Sequence, residues 1–281
     1  MPNPEAEEFT IVDPDGWKVV AYRWVPEHEP RAALHILHGL GEHAMRYDAT
    51  ARHLVVAGFV VYADDHRGHG QSGLRNDGLG RFGPRGMAGI VDAAHAVTSR
   101  MIDDYPGTPV FALGHSWGSF ILTQYIRRYG YELVGAILTG TTYLGGDGEV
   151  ATNFNSRFEP ARTSYDWLSR DPDEVDAYIA DPLCGFEAVV GASGEMPPLI
   201  GDESGRIPKD LPVAIFNGGD DPIGGAVGGA RLVAFLRDQG LADVTLRVYD
   251  GARHELFNET NRDEVRADMI AWIDAHIPSV P

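Results

Sequence analysis

Cysteine, lysine and long apolar runs are scarce in this sequence of 281 residues. Cys184 is the single cysteine, which excludes an internal disulfide and fits a reducing compartment. No apolar run approaches the length of about 18 residues that a membrane-spanning helix needs. The residues from Met1 to Phe9 are acidic and contain proline, so we expect no signal peptide and a cytoplasmic location.

Positive charge is also scarce, because 23 lysines and arginines face 41 aspartates and glutamates and the formal net charge is −18. Nucleic acids and anionic membrane surfaces attract clusters of basic residues, which are missing here. We therefore expect no nucleic-acid partner, and leave open only a transient contact with a lipid interface. The sequence indicates no oligomeric state.

The hydrophobic content of 43% is that of a globular protein, and its pattern is one of alternating strands and helices. Apolar strand patterns occur at 32–37, 59–63, 110–113, 134–139, 212–217 and 244–249, with helical periodicity between most of them. A β-hairpin is expected at 8–25 because Asp13-Pro14-Asp15-Gly16 is a turn signature. Repeated strand–helix units predict a mostly parallel central sheet with helices on both faces.

The alternation stops between Gly140 and Pro208, where aromatic residues stand among polar residues, prolines and glycines. We interpret residues 140–208 as a cap insertion, and residues 1–139 with 209–281 as one α/β core domain. A last helix is expected from about Arg262 to His276, with Thr260 and Asp263 at the spacing of a capping box.

A Gly-x-Ser-x-Gly motif, Gly114 to Gly118, lies between a strand pattern and a helical pattern. Glycines on both sides permit a turn so tight that the Ser116 hydroxyl projects from the end of the strand. Strand, turn and helix in this order predict the nucleophile elbow of the α/β-hydrolase fold.

A serine nucleophile needs a base, and in this fold the base follows the serine and the acid in the chain. Only His254 and His276 follow the strand pattern at 212–217, and His276 belongs to the terminal helix pattern. His254 stands just after a strand end, where active residues concentrate, and is therefore the predicted base.

An aspartate must orient the imidazole of that base. Asp220 and Asp221 follow one predicted strand and Asp250 follows the next, and any of them can equally be a turn former. The residues alone do not separate Asp220 from Asp221.

The oxyanion hole of this fold takes one backbone amide from the residue after the nucleophile and one from the loop after an early strand. Trp117 and Leu40 occupy these two positions. The sequence His66-Arg67-Gly68-His69 contains a histidine pair, but no further ligand stands at a suitable spacing, so we expect it to order a loop and expect no metal.

Five motifs together resemble the monoacylglycerol lipase and lysophospholipase group of serine α/β-hydrolases, within the serine aminopeptidase S33-type family. They are His38-Gly39-Leu40-Gly41-Glu42-His43, Asp65-His66-Arg67-Gly68-His69-Gly70-Gln71-Ser72, Gly114-His115-Ser116-Trp117-Gly118, Gly218-Gly219-Asp220-Asp221-Pro222 and Gly251-Ala252-Arg253-His254-Glu255. The resemblance covers nearly the whole chain and continues into the insertion, with Leu168-Ser169-Arg170 and Asp181-Pro182-Leu183-Cys184.

The resemblance implies that Ser116 is the nucleophile, Asp221 the orienting acid and His254 the base, with Leu40 and Trp117 as oxyanion amides. Trp117 departs from the methionine of many relatives, and Ser119 from a common glycine, so a bulkier wall beside the serine is expected.

The implied activity is hydrolysis of monoacylglycerol-like or lysophospholipid-like esters through an acyl-serine intermediate, with a small-molecule ester as substrate and no cofactor. Phe154, Phe158 and Trp167 are the candidate substrate-binding residues of the cap, although they can equally form a small satellite core. Two alternatives stay open: the same triad acting on another bond, as in an aminopeptidase, thioesterase or acyltransferase, and an inactive hydrolase fold that serves as a binding module.

Overall fold

The computed structural model describes residues 5–144, 153–186 and 205–278. These residues form one eight-stranded sheet with the strand order β1-β2-β4-β3-β5-β6-β7-β8. The strands are β1 (Glu7–Val12), β2 (Lys18–Trp24), β3 (Ala32–Leu37), β4 (Phe59–Asp64), β5 (Val110–His115), β6 (Gly135–Thr139), β7 (Val213–Gly218) and β8 (Val244–Tyr249). β2 is antiparallel to both of its neighbours. The remaining six strands, in the order β4-β3-β5-β6-β7-β8, are parallel to one another.

Helices connect these strands and cover both faces of the sheet. They are α1 (Asp48–Val56), α2 (Gly70–Leu74), α3 (Gly86–Asp104), α4 (Trp117–Tyr129), α5 (Pro172–Ala180), α6 (Gly225–Asp238) and α7 (Arg262–His276). None of the helices in the described ranges is long and apolar enough to cross a membrane.

The apolar core has two halves because successive strand residues point to opposite faces of the sheet. On one face Leu37 of β3 belongs to the cluster that contains buried residues of α3, α4 and α6. On the other face Leu34 and Ile36 belong to the cluster that contains buried residues of α1 and α7. Every residue of β3 is buried, as expected for a strand covered on both sides. The predicted α/β-hydrolase architecture is confirmed.

The insertion between β6 and β7 contains α5 and a 3-10 turn at Phe154–Phe158, and no strand within its described part. Leu168, Tyr178 and Cys184 form a small buried cluster of their own, with Tyr165 and Trp167 packed against it. Residues 145–152 and 187–204 of the insertion lie outside the described residues. The proposed boundaries of the cap therefore remain a prediction.

Some local details differ from expectation. The helix predicted from Arg46 begins at Asp48, after a 3-10 turn at Ala44–Tyr47. The predicted capping box of α7 is wrong, because the helix begins after Asn261, which makes no side-chain cap, and Thr260 Oγ1 instead contacts Glu259. The cause is local: the carboxylate of the preceding residue, Glu259, accepts both the amide and the hydroxyl of Thr260.

Candidate active site

The strand-to-helix turn after β5 holds Ser116 in a strained backbone conformation. Its φ of 51° and ψ of −120° are unfavourable for a residue with a side chain, and Ser116 is the single non-glycine residue with positive φ in the described ranges. The turn is held by a 2.8 Å hydrogen bond from the Ser116 amide to the Thr139 carbonyl at the end of β6. The partly exposed serine therefore stands at the carboxyl end of the central strands.

Both glycines of the motif are required by close packing. A Cβ at Gly114 would lie 2.5 Å from the Gly118 carbonyl oxygen, and one at Gly118 would lie 2.1 Å from the Leu37 carbonyl oxygen. Because backbone atoms cannot move aside as side chains do, no larger residue fits at either position. The Gly-x-Ser-x-Gly pattern thus reflects the approach of α4 to β5 and β3.

His254 and Asp221 are joined by a hydrogen bond of 3.0 Å between Nδ1 and Oδ1, and both side chains are buried. The same carboxylate oxygen accepts the Ile223 amide at 2.9 Å. Asp220 and Asp250 are exposed, whereas His276 of α7 bonds to the Trp272 carbonyl in the same helix and to Asp243, which precedes β8. Of the three candidate aspartates, Asp221 is the one that contacts His254.

The end of β6 brings the serine and the histidine into one site. Thr139 accepts the Ser116 amide, and a Cβ at the following Gly140 would lie 2.9 Å from Cε1 of His254. His115, next to Ser116, contacts the same imidazole with ring centroids 4.7 Å apart. The turn that carries Ser116 and the buried His254–Asp221 pair therefore lie close together at the carboxyl edge of the sheet, where ligands bind in open α/β folds.

Electrostatics favours a positive charge on His254. Burial opposes the imidazolium, but the charge and hydrogen bond of Asp221 outweigh it and raise the pKa of His254. Burial and the neighbouring His254 lower the pKa of His115 to about 3, so His115 stays neutral. The site therefore holds a base that can receive a proton beside a histidine that does not compete for it.

The loop after β3, which carries Leu40, approaches Ser116 through Gly39. A Cβ at Gly39 would lie 3.2 Å from Ser116 Cβ, so the backbone of this loop touches the nucleophile turn. The Gly39 amide donates to Glu42 at 2.5 Å and the Gly41 amide donates to His69 Nε2 at 3.2 Å. Leu40 thus lies between two amides held by hydrogen bonds, and it follows the glycine that approaches Ser116.

A buried ion network beneath this loop was not predicted from the sequence. Arg46 lies 2.9 Å from Glu42 and makes two hydrogen bonds of 2.5 and 2.7 Å to Glu255, the neighbour of His254. Tyr47 donates to Glu42 at 2.9 Å. The network joins the Leu40 loop to the His254 loop. Its signal in the sequence is the i, i+4 spacing between Glu42, which belongs to the His38–His43 motif, and Arg46, which follows that motif.

Trp117 is part of the core, with 1% of its surface exposed. Its indole packs against His66, His69 and Phe82, with ring centroids 5.8, 5.0 and 5.6 Å away. Almost none of its side chain is exposed, so Trp117 does not form the bulky wall that was expected beside Ser116. His66 and His69 order their loop, because His66 contacts Asp64 at 2.8 Å and His69 accepts the Gly41 amide.

The three predicted cap aromatics have different environments. Trp167 contacts the His254 imidazole at 4.9 Å between ring centroids, and Phe154 packs on Trp167 at 4.7 Å. Phe158 instead lies under the Arg253 guanidinium, 4.2 Å from the ring centre. Trp167 is therefore the member of this set that contacts a predicted triad residue.

One cluster in the described residues has metal-ligand chemistry: His43, Asp181 and Cys184, whose ligand atoms lie within 4.8 Å of one another. His43 Nε2 already bonds to Asp181 at 2.8 Å. Burial raises the pKa of the Cys184 thiol far above its usual range, which disfavours the thiolate that a metal needs. We interpret the cluster as a contact that connects the core to the insertion.

Known proteins resemble the chain over nearly its full length. The family described as "Serine aminopeptidase, S33" matches residues 28–261. The monoacylglycerol lipase of Mycolicibacterium smegmatis is 30% identical over 294 residues, covering 99% of this chain and 100% of that protein. The monoglyceride lipase of Homo sapiens is 31% identical over 266 residues, covering 89% of this chain and 84% of that protein.

Solved structures agree. A thermostable carboxyl esterase from Bacillus coagulans, solved in complex with glycerol, has a TM-score of 0.83 and 28% identity, covering 97% of this chain and 99% of that one. The family resemblance indicated by the five motifs is confirmed. The chain therefore belongs to the serine aminopeptidase S33 family and is a serine ester hydrolase of the monoglyceride lipase type.

Proposed function

We propose that the protein hydrolyses monoacylglycerols, with Ser116 as nucleophile, His254 as base and Asp221 as orienting acid. The observation that carries the residue assignment is the buried Asp221–His254 hydrogen bond beside a serine on a strained strand-to-helix turn. This combination matches the Ser-His-Asp arrangement, which is recognised by geometry and roles.

In the acylation step, His254 Nε2 takes the Ser116 proton while Oγ attacks the ester carbonyl. The amides of Leu40 and Trp117 are proposed to donate to the resulting oxyanion. The imidazolium, stabilised by Asp221, then gives its proton to the departing glycerol oxygen and leaves an acyl-serine.

In the deacylation step, water replaces the alcohol as the attacking group and gives its proton to His254. Attack on the acyl carbonyl forms a second tetrahedral intermediate at the same oxyanion position. Its collapse breaks the bond to Ser116 Oγ, which takes the proton back from His254, and releases a fatty acid.

The substrate class is supported by the relatives, of which two are named as monoacylglycerol or monoglyceride lipases and a third was solved with glycerol. Residues 140–208 are proposed to act as a cap that receives the acyl chain, with Phe154, Phe158 and Trp167 as substrate-binding candidates. Trp167 has the strongest support because it contacts His254. The sequence charge and cysteine content further support a cytoplasmic enzyme without a nucleic-acid partner.

The test is hydrolysis of monoacylglycerols of increasing chain length, beside a diacylglycerol, a lysophospholipid and an aminoacyl anilide. We expect monoacylglycerols to give the highest kcat/KM, rising several-fold for every two carbons until the acyl pocket is full, since each buried methylene contributes about 0.8 kcal/mol.

The matched control is Ser116→Ala, which we expect to fold normally and lose at least roughly 10³-fold in kcat. Faster cleavage of the anilide than of any ester would reject the substrate class. A flat chain-length profile would reject the acyl-binding cap while leaving ester hydrolysis intact.

A further inference from the structure

Two aromatic rings contact the imidazole of His254. His115, at the end of β5, lies 4.7 Å away between ring centroids with an interplanar angle of 51°. Trp167, from the insertion, lies 4.9 Å away with an angle of 41°. A tryptophan within about 6 Å of a cation attracts it through the negative face of the ring. The imidazolium formed during catalysis would lie within this distance.

The segment that carries Trp167 is fixed to the loop that carries His254. The amide of His254 donates to the Trp167 carbonyl at 3.4 Å, and the amide of Glu255 donates to the Leu168 carbonyl at 2.8 Å. The Arg253 guanidinium donates to the Ser169 carbonyl at 3.0 Å and also to the Asp166 carbonyl. Hydrogen bonds to backbone carbonyls therefore join the two segments.

A buried carboxylate strengthens this junction. Glu259 has no exposed surface, and its Oε1 accepts the amides of Arg253 at 2.8 Å and Arg170 at 3.0 Å. Its Oε2 accepts Nε of Arg170 at 2.8 Å. Glu259 therefore bonds to both segments at once, which makes this part of the insertion a rigid extension of the base-bearing loop.

The indole itself is supported from within the insertion. Phe154 packs on Trp167 with centroids 4.7 Å apart, and the Trp167 amide donates to Asn155 Oδ1 at 3.0 Å. Asn155 in turn donates to the Thr163 carbonyl at 2.5 Å. Trp167 is thus held in place both by the insertion and by the His254 loop.

The charged and titratable groups around His254 come from several elements. Asp221, Glu255 and Glu42 all favour its charged form, and Arg46 is bonded to both glutamates. His115 stays neutral because burial and His254 lower its pKa to about 3. Trp167 contributes an uncharged but polarised surface to the same imidazole.

We propose that Trp167 is a positioning residue for the base: its indole restricts the orientation of the His254 imidazole and stabilises the imidazolium that forms when Ser116 loses its proton. An interaction that exists only with the charged ring strengthens as the reaction proceeds, so it raises kcat more than it lowers KM. This inference rests on the proposed role of His254 as base and gives Trp167 a second role, one that does not depend on the acyl chain.

The test compares Trp167→Phe with Trp167→Leu. Both changes shorten the side chain and keep it apolar, but only phenylalanine retains an aromatic face, so the difference between the two variants isolates the ring. Tyr165→Leu is the matched control, because Tyr165 is an aromatic residue of the same insertion that packs on Tyr178, with ring centroids 4.9 Å apart. The measurements are the pKa of His254, from NMR titration of its ring Cε1 proton, and kcat and KM for one soluble ester.

We expect the pKa of His254 to be about half a unit lower in Trp167→Leu than in Trp167→Phe, and kcat to be roughly threefold to tenfold lower. Tyr165→Leu should leave both unchanged. Equal His254 pKa values and equal kcat in the two Trp167 variants would overturn the proposal, and so would an effect confined to KM. Should Trp167→Leu not fold, Trp167→Met preserves the comparison, since methionine also lacks a ring.

The NMR measurement needs no substrate and therefore separates this inference from the proposed function. Undiminished activity in Ser116→Ala would reject the triad. The His254 pKa in the Trp167 variants would still report whether the indole stabilises the imidazolium.

Discussion

The Asp221 carboxylate and the His254 imidazole are 33 positions apart in the chain, yet they meet through a 3.0 Å hydrogen bond in a fully buried environment. Asp221 follows β7 and His254 follows β8, two adjacent parallel strands. The other oxygen of Asp221 is buried with no hydrogen-bond partner in the described part of the chain. Asp221 therefore binds His254 through Oδ1, the oxygen that also accepts the Ile223 amide.

The two neighbouring aspartates should differ sharply when mutated. Asp221→Asn removes the charge that stabilises the imidazolium and favours the wrong imidazole tautomer, so we expect kcat to fall roughly 10³- to 10⁴-fold. Asp220→Asn is the control, because Asp220 is exposed, and its activity should stay within about twofold of the wild type. Steady-state hydrolysis of a soluble ester measures both, and the reverse order would show that Asp220 is the orienting acid.

Activity should fall on the acid side of neutrality. His254 must be neutral to accept the serine proton, and its pKa lies above the ordinary value of 6.5 because of Asp221, despite burial. We therefore expect kcat/KM to be half-maximal, on its acid limb, above pH 6.5. In Asp221→Asn, burial acts without the opposing charge, so the limb should move to lower pH. A wild-type limb near pH 5 would contradict this account.

A methyl group added at Gly140 should displace the His254 imidazole. Its φ is +56°, and a Cβ there would lie 2.9 Å from His254 Cε1 and 2.8 Å from His115 Cε1. We expect Gly140→Ala to reduce kcat at least tenfold. Gly107→Ala is the matched control, since Gly107 also has positive φ but has no atom within 4 Å of the added Cβ. It should lose about 1 kcal/mol of stability through backbone strain and keep its kcat.

Arg46 should matter for stability far more than a surface arginine does. Its removal leaves Glu42 and Glu255 buried without a cation, and we expect Arg46→Met to lower the free energy of unfolding by about 3 kcal/mol or more. Arg100→Met is the control, because Arg100 is 47% exposed in its pair with Asp104 and should lose at most about 1 kcal/mol. Urea unfolding measures both, and equal losses would contradict the argument.

The same network should give the wild-type protein a pH-dependent stability. Burial raises the pKa of Glu255, but Arg46 outweighs burial and lowers it to about 2, below the ordinary 4.5. The stabilisation is therefore complete above about pH 4.5 and is lost as the pH falls towards 2. Arg46→Met should lack this part of the pH dependence in urea unfolding.

The sequence by itself determined the fold class and narrowed the site to a few residues. β3 is a short, mostly apolar run with the predicted ends, because burial on both faces favours apolar side chains. β8, at the edge of the sheet, also has the predicted ends, although only its first and last residues are buried. The glycines of the elbow were informative for a similar reason, since the approach of α4 to β5 and β3 leaves no space for a Cβ. Such constraints act on single residue types and are therefore visible in a sequence.

Only the tertiary structure decided which groups contact His254. Asp220 and Asp221 are adjacent and chemically identical, and the turn after β7 alone determines which carboxylate is buried against the imidazole. Trp117, which was expected to form a wall beside Ser116, is a core residue. Trp167, one of several aromatic residues in the insertion, contacts the His254 imidazole. These outcomes depend on side-chain directions and on bonds between segments such as Glu259 to Arg170, which join distant parts of the chain and leave no local pattern in it.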